Sequence, residues 1–117
     1  MSQKVWEING LSLELDLEDI ETVERYEDAF EKMKSEETAI PRDGKLSVVI
    51  RAYCNMYRKL FSRIFGEETS EKIFAGVRLN GEAYDNIYLS FLDFVHEQIS
   101  ESGKRKAKML LKYKPKK

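Results

Sequence analysis

The side chains most often used in catalysis and metal binding are few in this sequence. His96 is the single histidine, so a histidine-based metal cluster or a Ser-His-Asp triad would have to be built around it alone. It lies in a polar stretch, which favours a position on a helix surface. Cys54, the single cysteine, stands beside Tyr53 and near Met56, which favours a thiol in the core or at its boundary. The sequence therefore predicts no catalytic and no metal-ligating residue.

Glycine and carboxylate pairs suggest two further kinds of chemistry. Gly76 and Gly81 lack both the G-x-G-x-x-G spacing and the lysine of a phosphate-binding loop, so we expect them in turns. Adjacent carboxylates such as Glu67 and Glu68 could take part in acid–base catalysis, but solvated pairs are the ordinary case in a chain with 21 acidic residues. We predict a protein that is not an enzyme and uses no cofactor.

Charge is strongly segregated along the chain. Residues 1–41 carry 12 acidic and 4 basic side chains, and residues 104–117 carry 8 basic and no acidic ones, although the formal net charge of the whole is −1. Such segregation bears on association and solubility rather than on fold. The basic segment could bind a nucleic acid, an acidic protein surface, the acidic residues 1–41 of another copy, or nothing. We favour a protein partner, because the rest of the chain is acidic and repels nucleic acid.

The candidate partner-binding residues lie in this basic segment. Six are cationic and one is aromatic: Lys104, Arg105, Lys106, Lys108, Lys112, Tyr113 and Lys114. Because the lysines repel one another and the apolar run 109–111 is short, we predict a mobile, disordered tail at 104–117. The alternative is an extension of the last helix that becomes ordered on a partner.

Length and apolar content indicate one domain, which we place at residues 1–103. The N-terminus lacks the features of a secretion signal, and no apolar run approaches the roughly 20 residues that span a bilayer. A lone cysteine agrees with a reducing compartment. We expect a soluble protein of the cytoplasm without membrane contact.

Residues 4–17 predict a β-hairpin. Asn9-Gly10 is a preferred pair for a two-residue type I′ turn, in which both positions need a positive φ. Apolar and polar residues alternate on both sides of it, so one face of the hairpin must be covered. The turn sets three pairs opposite each other: Ile8 with Leu11, Trp6 with Leu13, and Lys4 with Leu15.

Helical periodicity follows in three longer segments and one short one. We expect helices at residues 18–37, 46–65 and 81–102, the first of them a cover for the hairpin, and a short helix from Thr69 to Ala75-Gly76. Asp16 or Asp19 can cap the first and Asn80 the last. Gly66 and Gly103 are expected to end the second and the last. The fold class is therefore α+β, an N-terminal β-hairpin packed on a small bundle of three longer helices and one short helix.

The apolar stripes of the helices give the expected core. The first stripe comprises Ile20, Val23, Tyr26, Phe30 and Met33; the second Val49, Ala52, Tyr53, Met56, Leu60, Phe61 and Ile64; the last Tyr84, Ile87, Phe91, Phe94, Val95 and Ile99.

Several short motifs give the chain a family resemblance. In order, they are Ile8-Asn9-Gly10, Leu13-Glu14-Leu15-Asp16, Glu24-Arg25-Tyr26-Glu27, Ile64-Phe65-Gly66-Glu67 and Thr69-Ser70-Glu71-Lys72-Ile73-Phe74. Together they resemble short prophage proteins of Gram-positive bacteria that are encoded among tail-morphogenesis genes. The resemblance covers roughly residues 6–100, and the chain departs from it at Glu68 and Ala75, where glycines are expected.

The resemblance implies a function of the tail assembly chaperone kind. Such a chaperone binds the long, hydrophobic tape measure protein and keeps it soluble until tail subunits polymerise around it. A tape measure or other tail protein is then the expected partner, and a homo-oligomer is a further possibility. The alternative is a small phage-encoded inhibitor or nucleic-acid-associated regulator that uses the basic segment.

Overall fold

The structure is a computed structural model that describes residues 4–112. A two-stranded antiparallel sheet is followed by four helices, which confirms the predicted α+β class. In chain order the elements are β1 (Val5–Ile8), β2 (Leu11–Glu14), α1 (Ile20–Thr38), α2 (Leu46–Phe65), α3 (Glu67–Phe74) and α4 (Gly81–Lys112).

The hairpin has the predicted turn and register. Asn9 and Gly10 both have positive φ, at 49° and 79°, as a type I′ turn requires. Trp6 lies opposite Leu13, and the backbone N–H of Leu15 donates to the carbonyl of Lys4 at 2.7 Å. The alternating pattern therefore places Trp6 and Leu15 in the core, each at most 3% exposed.

The hairpin is covered mainly by α2 and α4 rather than by α1, the cover expected from sequence. The Trp6 ring packs 5.4 Å from Phe61 of α2 and 5.1 Å from Phe91 of α4, centroid to centroid. Its indole N–H donates to the Ser90 hydroxyl of α4 at 3.0 Å. At the turn, the Asn9 amide donates to the backbone carbonyl of Ile73 in α3 at 2.8 Å. The hairpin thus contacts α2, α3 and α4, all of which are distant from it in sequence.

The caps of α1 and α4 follow the sequence signals. The Asp19 carboxylate accepts hydrogen bonds from the backbone N–H of Thr22 at 3.1 Å and from its hydroxyl at 2.8 Å. These bonds hold the pKa of Asp19 below its usual value. The Asn80 side chain accepts from the N–H of Ala83 at 2.9 Å. Each interaction satisfies an N–H that the first turn of a helix leaves without a helical partner.

Two of the predicted core residues are exposed instead. Ile20 is 67% exposed because it opens α1, ahead of the turns that pack at Ala29 and Met33. Ile99 is 55% exposed and Gln98 is buried in its place. The Gln98 amide donates to the carbonyl of Leu15 at 2.9 Å and accepts from the N–H of Leu17 at 2.5 Å, so the chain leaving the hairpin selects a polar residue there.

The predicted end of the last helix at Gly103 is wrong. α4 continues to Lys112, and Gly103 keeps helical backbone instead of the positive φ of a helix-ending glycine. Residues 104–112 are therefore helical and not the disordered tail expected from sequence. The physical reason is that lysine, arginine, alanine, methionine and leucine, which follow the glycine, are all good helix formers. The short helix α3 also begins earlier than predicted, at Glu67.

Candidate protein-binding surface

The basic residues singled out from sequence lie on the last turns of α4. Lys104, Arg105, Lys106, Lys108 and Lys112 are all exposed, whereas Tyr113 and Lys114 fall outside the described residues. Four of the five cations share one face of the helix, because consecutive residues are about 100° apart: Lys104, Arg105, Lys108 and Lys112. Lys106 lies on a different side, so the cations form a basic face rather than an even ring.

One member of the basic face is bound to the body of the protein. The guanidinium of Arg105 makes a two-pronged hydrogen bond with the carboxylate of Glu18, and its Nη1–Oε2 distance is 2.6 Å. This hydrogen bond lowers the pKa of Glu18 and raises that of Arg105. The Nζ atom of Lys104 lies 3.6 Å from the Oε2 atom of Glu101, which is about one turn earlier on the same helix. Arg105 therefore acts first as a tether, and the lysines beside it carry most of the outward charge.

The end of α4 also presents an apolar run to solvent. Met109, Leu110 and Leu111 are 52%, 74% and 72% exposed. Because consecutive side chains of a helix point about 100° apart, these three lie on different sides of the helix among the cations, so its end offers a partner both charge and scattered apolar area. The sequence shows these residues, but only the helix places them on an ordered element.

A second surface, which sequence reasoning missed, runs along α1. It is a shallow groove that opens broadly to solvent, with a volume of about 770 Å³, and it is lined by seven side chains of that one helix. Three lining residues are apolar or aromatic and four are charged: Tyr26, Phe30 and Met33, and Glu27, Glu31, Lys34 and Glu37. With three carboxylates and one ammonium group, the groove has an apolar floor and an acidic rim. The amphipathic stripe of α1 was visible in the sequence, but we assigned it wholly to the core.

The floor of the groove is held in place by aromatic packing against α4. Phe30 stacks against Phe91 with ring centroids 6.5 Å apart, and it lies 6.4 Å from Tyr88. Tyr26 packs 4.8 Å from Phe30. Burial raises the pKa of both Tyr26 and Tyr88, so their hydroxyls stay protonated at any physiological pH. These side chains are half-buried, with one edge in the core and the other available to a ligand.

The back of α1 is fixed to α2 by an ion pair. The Arg63 guanidinium donates two hydrogen bonds to the Glu36 carboxylate, at 3.1 and 2.5 Å, and Lys59 lies 3.9 Å from the same group. The hydrogen bonds from Arg63 lower the pKa of Glu36. Because both partners of the main pair are less than a third exposed, this contact resists solvent screening better than the surface pairs do. It sets the angle at which α1 presents its groove.

A polar network fixes the start of α4 against α2. The hydroxyl of Tyr57 donates to Asp85 at 2.9 Å, and Arg58 donates to the hydroxyl of Tyr84 at 3.0 Å. The same guanidinium lies 5.2 Å from the ring centre of Phe74 in α3, which is a cation–π distance. Burial, followed by the bond to Asp85, raises the pKa of Tyr57. The network is structural, because it ties α2, α3 and α4 together.

Cys54 and His96 fall where they were expected, whereas Gly81, expected in a turn, is the first residue of α4. Cys54 is completely buried, and this burial raises the pKa of its thiol. His96 is exposed on α4. Tyr57 and Phe61 of α2 are buried in the core. Across residues 4–112, no three His, Cys, Asp or Glu side chains come together closely enough to hold a metal ion.

Within the same part of the chain, no helix combines the length and the apolar character needed to cross a membrane. No curated protein and no solved structure matches the chain significantly. A family model does match, over residues 9–117, and its description is "Family of unknown function (DUF6673)". The match covers nearly all of the sequence, from the hairpin turn onward, so the chain belongs to this family.

Proposed function

We propose that this protein is a non-enzymatic phage or prophage protein that binds other proteins, most specifically a chaperone-like factor for the tape measure protein during tail assembly in the host cytoplasm. The observation that carries the proposal is the open groove on α1, with its aromatic floor and acidic rim. The motif resemblance to prophage tail-module proteins supplies the class of partner.

The groove has the form that helix-binding proteins use. An amphipathic helix lies in an apolar groove through side chains repeating at every third or fourth position. The lining of this groove runs from Tyr26 to Glu37, which is about three turns of α1 and matches three successive anchors of a partner helix. A tape measure protein is long, helical and apolar, so its segments have this form.

The acidic rim selects among such helices. Glu27, Glu31 and Glu37 favour a partner with lysine or arginine beside its apolar anchors, because complementary charge speeds encounter and rejects acidic competitors. The surplus of acid over the first 41 residues also keeps a complex with a hydrophobic partner in solution.

Co-expression with a tape measure protein from the same phage genome tests the proposal. We expect the two proteins to co-purify and the soluble yield of the tape measure protein to rise. The double variant Glu27→Lys/Glu31→Lys reverses charge on the rim without touching the buried core, and it should lose most of this effect. A matched control, Asp43→Lys/Glu71→Lys, makes the same change in net charge at exposed positions away from the groove and should retain it.

Failure to co-purify, or equal behaviour of the two double variants, would reject the proposal. The alternative from sequence, a regulator that binds nucleic acid through the basic segment, makes a different prediction. Binding of the purified protein to DNA would then fall steeply with added salt and vanish on deletion of residues 104–117.

A further inference from the structure

The groove on α1 faces α4, and the two helices run antiparallel. The Phe30 ring of α1 lies 6.4 Å from the Tyr88 ring, centroid to centroid. Leu17, just before α1, donates its backbone N–H to Gln98, which lies farther along α4. Val23 stands between Leu17 and Phe30 in sequence, and it shares the face of Phe30 because seven residues make about two helical turns. Val23 therefore faces the part of α4 between Tyr88 and Gln98.

α1 and α4 leave a crease between them. α1 packs closely on α2, and α2 on α4, whereas the backbones of α1 and α4 stay apart over nearly all of their length. Aromatic rings span the gap: Phe91 of α4 lies 6.4 Å from Tyr26 and 6.5 Å from Phe30. The same ring lies only 5.1 Å from Trp6 and 5.2 Å from Phe61. Phe91 thus packs less tightly towards α1 than towards β1 and α2.

The wall of the crease on α4 is an apolar stripe. Its members follow one another at intervals of four, three and four residues, so they share one side of the helix: Tyr88, Leu92, Val95 and Ile99. Because Tyr88 is the residue that meets Phe30, this side is the one that faces α1. Val95 is buried, Leu92 is half-buried and Ile99 is 55% exposed. The stripe is therefore covered at its inner edge and open to a ligand at its outer edge.

Both walls of the crease are acidic. The wall on α1 carries the three carboxylates and the one ammonium group of the groove. Residues 81–102 of α4 carry five acidic side chains and no lysine or arginine. One of them, Asp85, is seven residues before Leu92 and lies on the same side of the helix. The complement of an apolar crease between acidic walls is a helix whose apolar face is flanked by lysine or arginine.

We infer, on the basis of the proposed function, that the binding site extends from α1 across the crease to Tyr88, Leu92 and Ile99, and that it takes one cationic amphipathic helix of the partner protein. Such a helix would contact α1 and α4 at once and complete a four-helix bundle with α1, α2 and α4. The wall from Tyr88 to Ile99 is about 17 Å long, which matches about three turns of the bound helix.

Two lysine substitutions test the wall on α4. Ile99 and Leu79 are similarly exposed, at 55% and 49%, but Leu79 lies in the loop before α4 and not in the crease. The probe is a labelled peptide of about 18 residues, with leucine at the a and d positions of a heptad repeat and lysine elsewhere. Ile99→Lys should weaken its binding by about tenfold or more, because the new ammonium group repels the peptide and interrupts the apolar stripe. Leu79→Lys should change binding by less than about twofold.

Two controls accompany this titration. The same peptide with glutamate in place of lysine should not bind the wild-type protein, because both walls are acidic. Circular dichroism of Ile99→Lys and Leu79→Lys should match that of the wild type, since both replaced side chains are exposed. In co-expression with the tape measure protein, Ile99→Lys should lose most of the co-purified partner and Leu79→Lys should retain it.

Photo-cross-linking tests whether both walls touch the same partner. Cys54 is buried, so Val23→Cys and Ile99→Cys each provide one reactive thiol for a benzophenone label, one on either wall. In the complex with the tape measure protein, both labels should cross-link to that protein, and a label at Leu79→Cys should not. A cross-link between two copies of this chain would show that a second copy occupies the crease and would overturn the assignment of a partner helix.

The wall on α4 is also refuted if Ile99→Lys binds peptide and tape measure protein as the wild type does, or if only the label at Val23→Cys cross-links. The proposed function then stands on the groove of α1 alone. The opposite result is distinct: the tape measure protein fails to co-purify, but the lysine peptide binds and Ile99→Lys weakens it. That result supports the crease and rejects the tape measure protein as its partner.

Discussion

The aromatic body of the protein and the last ten residues of α4 follow different physical rules. In the body, Trp6 contacts Phe61, Phe65 and Phe91 at centroid distances of 5.1 to 6.1 Å, and its single polar atom is hydrogen-bonded. Residues 103–112 are all exposed, and half of them are cationic. Side-chain packing fixes the conformation of the body, whereas helix propensity and charge determine the conformation of the end of α4.

This difference separates the body, which stabilises the fold, from the end of α4, which is available for binding. Burial of apolar surface stabilises the body by roughly 25 cal/mol per Å². Removal of one of its large side chains therefore lowers the free energy of unfolding substantially. The end of α4 contributes little to this stabilisation. Its residue types can therefore suit a binding partner without a loss of stability. The groove on α1 combines both kinds of residue, since Phe30 packs in the aromatic cluster whereas Glu27 and Glu31 are exposed.

The largest expected effect is that of Trp6→Ala. Loss of the indole leaves a cavity between the hairpin, α2 and α4, and it removes the partner of the Ser90 hydroxyl. We expect the free energy of unfolding to fall by about 3–5 kcal/mol, measured by urea denaturation at high salt and low protein concentration. Leu110→Ala, a large-to-small change at the exposed end of α4, should change it by less than about 0.5 kcal/mol. Similar losses for the two variants would refute the contrast between the regions.

A smaller loss is expected when the side chain of Gln98 is replaced by leucine. The volume is nearly kept, but the carbonyl of Leu15 and the N–H of Leu17 lose their partners. Leaving such groups unsatisfied should cost about 1–3 kcal/mol. Glu97→Leu, the same apolar change at the exposed neighbour, is the control and should be nearly neutral. An unchanged midpoint for Gln98→Leu would mean that water or a relaxed loop satisfies both groups.

Gln98 also shows what sequence can and cannot predict. The hairpin was predicted with its register, because Asn9-Gly10 and the alternation of apolar residues are local signals. The burial of Gln98 in place of Ile99 depends on the chain leaving β2, more than 80 residues away in sequence. Periodicity cannot reveal a polar residue selected by a distant backbone group.

The candidate site was predicted less well than the fold, for a related reason. The residue types at 104–112 indicated a charged contact region, but the signals for its conformation conflicted: Gly103 favours a helix end and the residues after it favour a helix. The groove on α1 was missed because a stripe of Tyr26, Phe30 and Met33 is the same pattern whether a neighbouring helix covers it fully or partly. Only the placement of α4 decides between the two.

A pH-dependent effect is expected at the ion pair between α1 and α2. The pKa of Glu36 is lowered in the folded protein by Arg63, so the pair stabilises the fold fully above the ordinary carboxyl pKa of 4.5. That contribution is lost as the pH falls through the lowered value. Glu36→Gln should reduce stability at pH 7 by at most about 1 kcal/mol and should flatten the loss of stability below pH 4.5.

Urea denaturation of Glu36→Gln and wild type at several pH values between 3 and 7 measures this difference. Glu31→Gln removes the same charge at an exposed position outside this ion pair and is the matched control. If the two stability curves for Glu36→Gln and wild type stay parallel throughout, the pair does not contribute as its geometry suggests.

The smallest effect, and the only stabilising one, is expected for Gly103→Ala. Gly103 is helical, and an added Cβ meets no atom within 4 Å, so alanine removes backbone freedom from the unfolded chain without a clash. The gain of about 0.5–1 kcal/mol should appear as two- to fivefold slower amide hydrogen exchange at residues 104–109, with no slowing in the body. Gly66→Ala is the opposite case, because a φ of +99° is strained for any residue with a Cβ, and it should lower the stability of the whole protein. Equal exchange rates in Gly103→Ala and wild type would mean that the helix already ends near Gly103 in solution, and residues 104–112 would then bind their partner from an unfolded state.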